Sequence, residues 1–127
     1  MVLINTLSQN ILILSSTKVI NLKTYIINSP VLTTYGLWCF EGPLTDLTAK
    51  SIIQDGFISG IGHAVSAEFL SQYLKITIPT NRINIEMKAG DRALILRLLN
   101  RLPEGKILNE LELNITPFEL GLLTRLR

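Results

Sequence analysis

INIEMKAGDRALILRLL, residues 83–99, decides the architecture. Ile83, Ile85 and Met87 alternate with Asn84 and Glu86, the period of a strand with one buried face. Ala89-Gly90-Asp91 follows as a turn, and Ala93 to Leu99 is apolar except at Arg97. The pattern predicts an antiparallel hairpin of 83–87 with 93–99. Such pairing excludes a purely parallel sheet, so the expected fold is α/β: a mixed β-sheet of about five strands flanked by helices.

Upstream, Ile76 to Ile78 before Pro79 reads as another short strand. Before it, Gly56-Phe57-Ile58-Ser59-Gly60-Ile61-Gly62-His63 is a glycine-rich approach to a helix carrying Phe69, Leu70, Tyr73 and Leu74 at helical spacing. An earlier helix is predicted over Asp46 to Gln54, capped by Thr45 and followed by Gly56. Leu37 to Phe40 is an apolar run closed by Glu41-Gly42-Pro43, and Thr24 to Ile27 is a strand stopped by Asn28, Ser29 and Pro30. Residues 1–22 read as an N-terminal extension, a strand or loosely packed arm, and 23–127 as the functional domain. Downstream, a polar loop spans Asn100 to Gly105, a short helix starts near Asn109 with Glu112 three residues on, and a last strand covers Phe118 to Leu126.

The chain has 127 residues, 47% of them hydrophobic, with 12 Lys+Arg against 10 Asp+Glu and a formal charge of +2. One domain of this size buries a core without staples. A lone cysteine, Cys39, excludes an internal disulfide framework and a cysteine-rich zinc module, and reads as a small buried residue. So small a net charge disfavours binding a long nucleic acid. No apolar run approaches the roughly 18 residues of a membrane span, and the first cation, Lys18, follows the apolar cluster at 11–14, against a secretory signal. A cytoplasmic location is expected, with no membrane partner.

Gly60, Ile61 and Gly62 before a helix suit a phosphate oxygen, through backbone N–H groups at the positive end of the helix dipole. His63, the only histidine, stands where a leaving oxygen beside that phosphate needs a proton, and imidazole titrates close to neutrality. A cap or a hydrogen-bonded surface residue is the simpler account of it. Arg101 can grip a phosphate through paired hydrogen bonds, with Glu104 in the same loop; alternatively the two form a solvated ion pair. Asn81-Arg82 adds an amide and a cation, for which a salt bridge is the cheaper reading. One histidine, one cysteine and no clustered carboxylates point to no metal and no cofactor.

Taken in order, Tyr25-Ile26-Ile27-Asn28, Gly56 to His63, Asn81-Arg82, Gly90-Asp91-Arg92-Ala93-Leu94, and Arg101-Leu102-Pro103-Glu104-Gly105-Lys106-Ile107-Leu108 resemble the type III anti-CRISPR ring nucleases of archaeal viruses and their bacterial, phage and plasmid relatives. The resemblance runs from Thr24 to the C-terminus. It implies a homodimer that binds the second messenger cyclic tetra-adenylate at its interface and cuts it without metal to linear di-adenylates ending in 2′,3′-cyclic phosphate, switching off or antagonising type III CRISPR immunity. Carried over by motif, His63 is the general acid, Arg101 and Glu104 flank it at the scissile phosphate, and Asn28 and Arg82 hold the ring. Archaeal viral members tend to have an acidic residue after the histidine, where this chain has Ala64, and a serine near the position of Val31. Ser66 keeps a hydroxyl after the histidine, and Ser29, Thr33 and Thr34 are candidates for the other. The competing classes are a non-catalytic sponge for the ring and, more distantly, a structural or DNA-binding viral dimer.

Overall fold

The computed structural model describes residues 11–14, 18–30, 32, 34–99 and 117–127 of the chain. Ile11–Leu14 (β1) and Lys18–Asn21 (β2) pair antiparallel as a separate two-stranded sheet, so the extension forms a hairpin. Five further strands form the main sheet: Thr24–Ile27 (β3), Trp38–Glu41 (β4), Ile58–Ser59 (β5), Arg92–Leu98 (β6) and Phe118–Arg125 (β7). Their spatial order is β4-β7-β6-β3-β5, with β3 parallel to both β5 and β6 and β7 antiparallel to both β4 and β6. The fold is thus the expected mixed α/β sheet of five strands, with two helices among the described residues, Asp46–Ile53 (α1) and Ala64–Leu74 (α2).

Residues 93–96 of β6 are buried on both faces of the sheet, which is why this strand is a continuous apolar run rather than an alternating one. Leu94 and Leu96 join Ile26 and Leu120 under Ala49, Ile52 and Ile53 of α1 and Ala67, Leu70 and Leu74 of α2. Ala93 and Ile95 join Tyr25, Ile27 and Leu123 on the opposite face, where Met87 and Ile85 cover them. Each fully buried Leu or Ile contributes about 1.5–3 kcal/mol. Thr45 caps α1 as expected, its hydroxyl accepting from Thr48 N at 3.2 Å, with Asp46 in the positive first turn.

Asp91 ties the turn before β6 to the start of β3. Only 2% exposed, its carboxylate accepts Lys23 N at 2.9 Å and Lys88 N at 2.8 Å. Gly90 closes this turn at φ +93°, a conformation that L side chains resist, and Leu22 lies against it. Burial pushes the neighbouring Tyr25 phenol above its ordinary pKa, and the Asp91 charge adds to the rise.

Two expected strands are absent. Residues 76–78 and 83–87 take part in no ladder, so the hairpin of 83–87 with 93–99 does not form. The reason is geometric: β6 has two edges, and β3 and β7 occupy both. The alternation in 83–87 still reports a buried side, since Ile85 and Met87 pack on the sheet while Ile83 is exposed. Mixed pairing instead arises from β7. The Met87 carbonyl accepts Arg125 Nη1 at 2.6 Å, a side-chain bond in place of a ladder bond. The expected short helix near Asn109 lies outside the described residues.

Candidate active site

The three parallel strands end at one edge of the sheet, the side of an open α/β sheet where ligands collect. In register, Ile26 lies opposite both Ser59 and Leu94, so Asn28 leaves β3 and Gly60 leaves β5 at the same edge. β6 runs on to Leu98, ending on that side. Arg101, Glu104 and Thr33 lie outside the described residues.

From Ser59 the chain turns through Gly60, Ile61 and Gly62 into α2. Gly60 N donates to Ile26 O at 2.8 Å, so this amide belongs to the sheet and not to a ligand. Ile61 is fully buried in the core beneath α2, which leaves only its backbone near the edge. The N–H groups of Gly62 and His63 make no hydrogen bond among the described residues. They immediately precede the first turn of α2, the positive end of the helix dipole, where a phosphate can bind.

His63 is the N-cap of α2, in extended conformation and exposed, yet its side chain makes no capping bond. Its carbonyl accepts the first helical bond, from Ala67 N at 3.0 Å. The imidazole has no hydrogen-bond partner among the described residues, so capping does not explain a histidine here. Arg82 forms no ion pair among the described residues. Instead its Nη2 donates to Gly62 O at 3.3 Å, which sets a guanidinium one residue from the imidazole with donors to spare. Among the described residues Arg82 is thus a cation laid along the glycine loop rather than half of a salt bridge.

Asn28 is half-buried and Ser29 exposed just after β3, and Thr34 is exposed further along the chain. Ser66, expected beside the ligand, is 3% exposed and belongs to the buried side of α2. No group of three or more His, Cys, Asp or Glu side chains is placed to hold a metal ion among the described residues.

Two residues that sequence reasoning did not assign to the site hold the loop in place. The buried Ser59 hydroxyl donates to Pro79 O at 2.6 Å, and Asn81 Nδ2 donates to Ser59 O at 2.7 Å. Asn81 N donates in turn to Ile61 O at 2.8 Å. An Asn-Arg pair after a proline carried the signal, but only as a second cation and amide.

Gly60 is required by close approach: a Cβ there would meet Ile85 Cδ1 and, at 2.9 Å, Ile27 Cγ2. Gly60→Ala is expected to cost about 1–3 kcal/mol through displaced packing, read by urea unfolding. An unchanged midpoint would show that Ile85 does not seat on this loop.

The sequence profile described as STIV B116-like matches residues 24–120. The uncharacterized protein ORF117 of Acidianus two-tailed virus is 39% identical over 83 residues, 62% of this chain and 71% of that protein. The uncharacterized protein YddF of Bacillus subtilis (strain 168) is 32% identical over 102 residues, 79% of this chain and 94% of that protein. Among solved structures, B116 of Sulfolobus turreted icosahedral virus superposes with a TM-score of 0.67 at 21% identity, covering 81% of this chain and 99% of B116, a likeness of fold. The chain belongs to the STIV B116-like family. No helix among the described residues is long and apolar enough to cross a membrane.

Proposed function

We propose that this STIV B116-like protein is a metal-independent ring nuclease that cleaves cyclic tetra-adenylate, and that the loop 60–63 with Arg82 is its phosphate site. The observation that carries the reading is an exposed imidazole, His63, free of any capping bond at the start of α2 and one residue from the carbonyl that holds Arg82. RNA carries its own nucleophile, so little else is needed. The ribose 2′-oxygen attacks the adjacent phosphorus in line and the P–O5′ bond breaks. The 2′-OH proton leaves to solvent and His63 protonates the departing 5′-oxygen. A 2′,3′-cyclic phosphate and a 5′-OH result. Arg82 and the N–H groups of Gly62 and His63 meet the negative charge on the non-bridging phosphate oxygens.

Arg101 and Glu104 complete the site in this reading. Leu98, the last residue of β6, lies three positions before Arg101, a chain length of at most about 10 Å. Two copies of the chain about a two-fold axis match the symmetry of a four-membered ring and bring one His63 to each of two opposed phosphates. Destroying the ring removes the signal that activates type III CRISPR effectors.

The test is incubation of cyclic tetra-adenylate with the protein in EDTA, followed by product separation. Linear di-adenylates ending in 2′,3′-cyclic phosphate, formed at the same rate with and without EDTA, are expected. Tight binding without products would make the protein a sponge. Products only after a divalent ion is added would overturn the mechanism.

A further inference from the structure

We propose that Asn81 is a positioning residue that sets the stance of His63, resting on the reading of this edge as a phosphodiester-cleaving site. The chain between Lys75 and Asn81 is a strap. It leaves the C-cap of α2 at Lys75, held in the left-handed conformation at φ 58°, and returns to the start of the same helix, a distance of about 16 Å for 11 residues. At its first end, Ser71 Oγ accepts Ile78 N at 2.9 Å and donates to Ala67 O at 2.7 Å. At its far end, Asn81 grips the glycine loop twice, through its side-chain amide to Ser59 O and its backbone N–H to Ile61 O.

Those two carbonyls flank Gly60. Bonding them holds the segment that aims His63, whose last link to the sheet is the bond from Gly60 N to Ile26 O. Asn81 also fixes the backbone from which Arg82 reaches Gly62 O, so one side chain sets the spacing between imidazole and guanidinium. Asn81 bonds Ser59 and Ile61 and not His63 itself, so it acts through the loop.

Asn81→Asp keeps the shape but replaces the donor facing Ser59 O with an oxygen, which loses one hydrogen bond and repels the carbonyl. Misplacement of a reacting group by about 1 Å costs on the order of 10²-fold in rate. The expected result is a single-turnover rate for cyclic tetra-adenylate lowered about 10- to 100-fold, with Kd changed less than about 3-fold. The second readout needs no activity. His63 is the only histidine, so its imidazole NMR resonances are unambiguous in the full chain, and Asn81→Asp should move them.

Unmoved resonances, whether or not the rate falls, would overturn the positioning role. If the wild-type protein cuts nothing while the variant shifts the imidazole, the latch stands and the ring-nuclease reading falls. If Asn81→Asp does not fold, Asn81→Ala removes the same donor to Ser59 O without adding a charge and is judged by the same two readouts.

Discussion

His63→Ala is expected to lower the single-turnover rate of ring cleavage by about 10²- to 10⁴-fold at saturating enzyme, while cyclic tetra-adenylate still comigrates with the protein. A general acid acts on the leaving oxygen only as the bond breaks, so its loss falls on the transition state. Ground-state binding has other holders: the Arg82 guanidinium beside Gly62 O and the N–H groups of Gly62 and His63, unbonded among the described residues, and the alanine variant keeps that backbone. Stability should change little, because the exposed imidazole makes no hydrogen bond among the described residues. Cleavage at the wild-type rate would reduce His63 to a residue at a helix start. Loss of binding with cleavage would mean that the imidazole grips the ring and the proton comes from elsewhere.

Asp91→Ala should produce the largest loss of stability outside the apolar core, about 3–5 kcal/mol, because it leaves two backbone donors without their charged acceptor. Lys23 N and Lys88 N both bond this carboxylate, which is 2% exposed. A fall in Tm of roughly 10 °C or more follows for a domain of this size. Asp91→Asn separates packing from acceptance: the amide offers one oxygen where two are used, so part of the loss should remain. Thermal unfolding of the three proteins decides it, and an alanine variant as stable as the wild type would show that the turn holds without the clamp. Neither substitution touches the glycine loop, so the catalytic and structural effects are separable.

The site was legible in part. Loop 60–63 and Arg82 meet at Gly62 O, which residue types did not indicate, since they made a salt bridge the cheaper reading of Arg82; only the family resemblance put both at one ligand. What the local pattern misjudged was use. Gly60 N was expected to face a phosphate, yet it completes the ladder to Ile26 O. Ser66 and Ile61 sit near the histidine in sequence, but helix phase and core packing turn both side chains inward. Ser59 and Asn81, which hold the loop, stand 22 residues apart and become partners only when the strap comes back along α2.

For the fold, short-range chemistry was sufficient wherever an element is specified within its own turn or period. Thr45 and Asp46 start α1, the β-prone run 24–27 ends at an Asn-Ser-Pro stop, and residues 118–125 form the expected last strand. That the sheet is mixed was also correct, though drawn from the wrong pair. Periodicity says which side of an extended segment is apolar, and Ile85 and Met87 do face the sheet. It carries no information about which edge is free. Only the tertiary structure decided that β3 and β7 take both edges of β6, because a strand has two rows of backbone groups and the distant chain that fills them first leaves none for its neighbour in sequence.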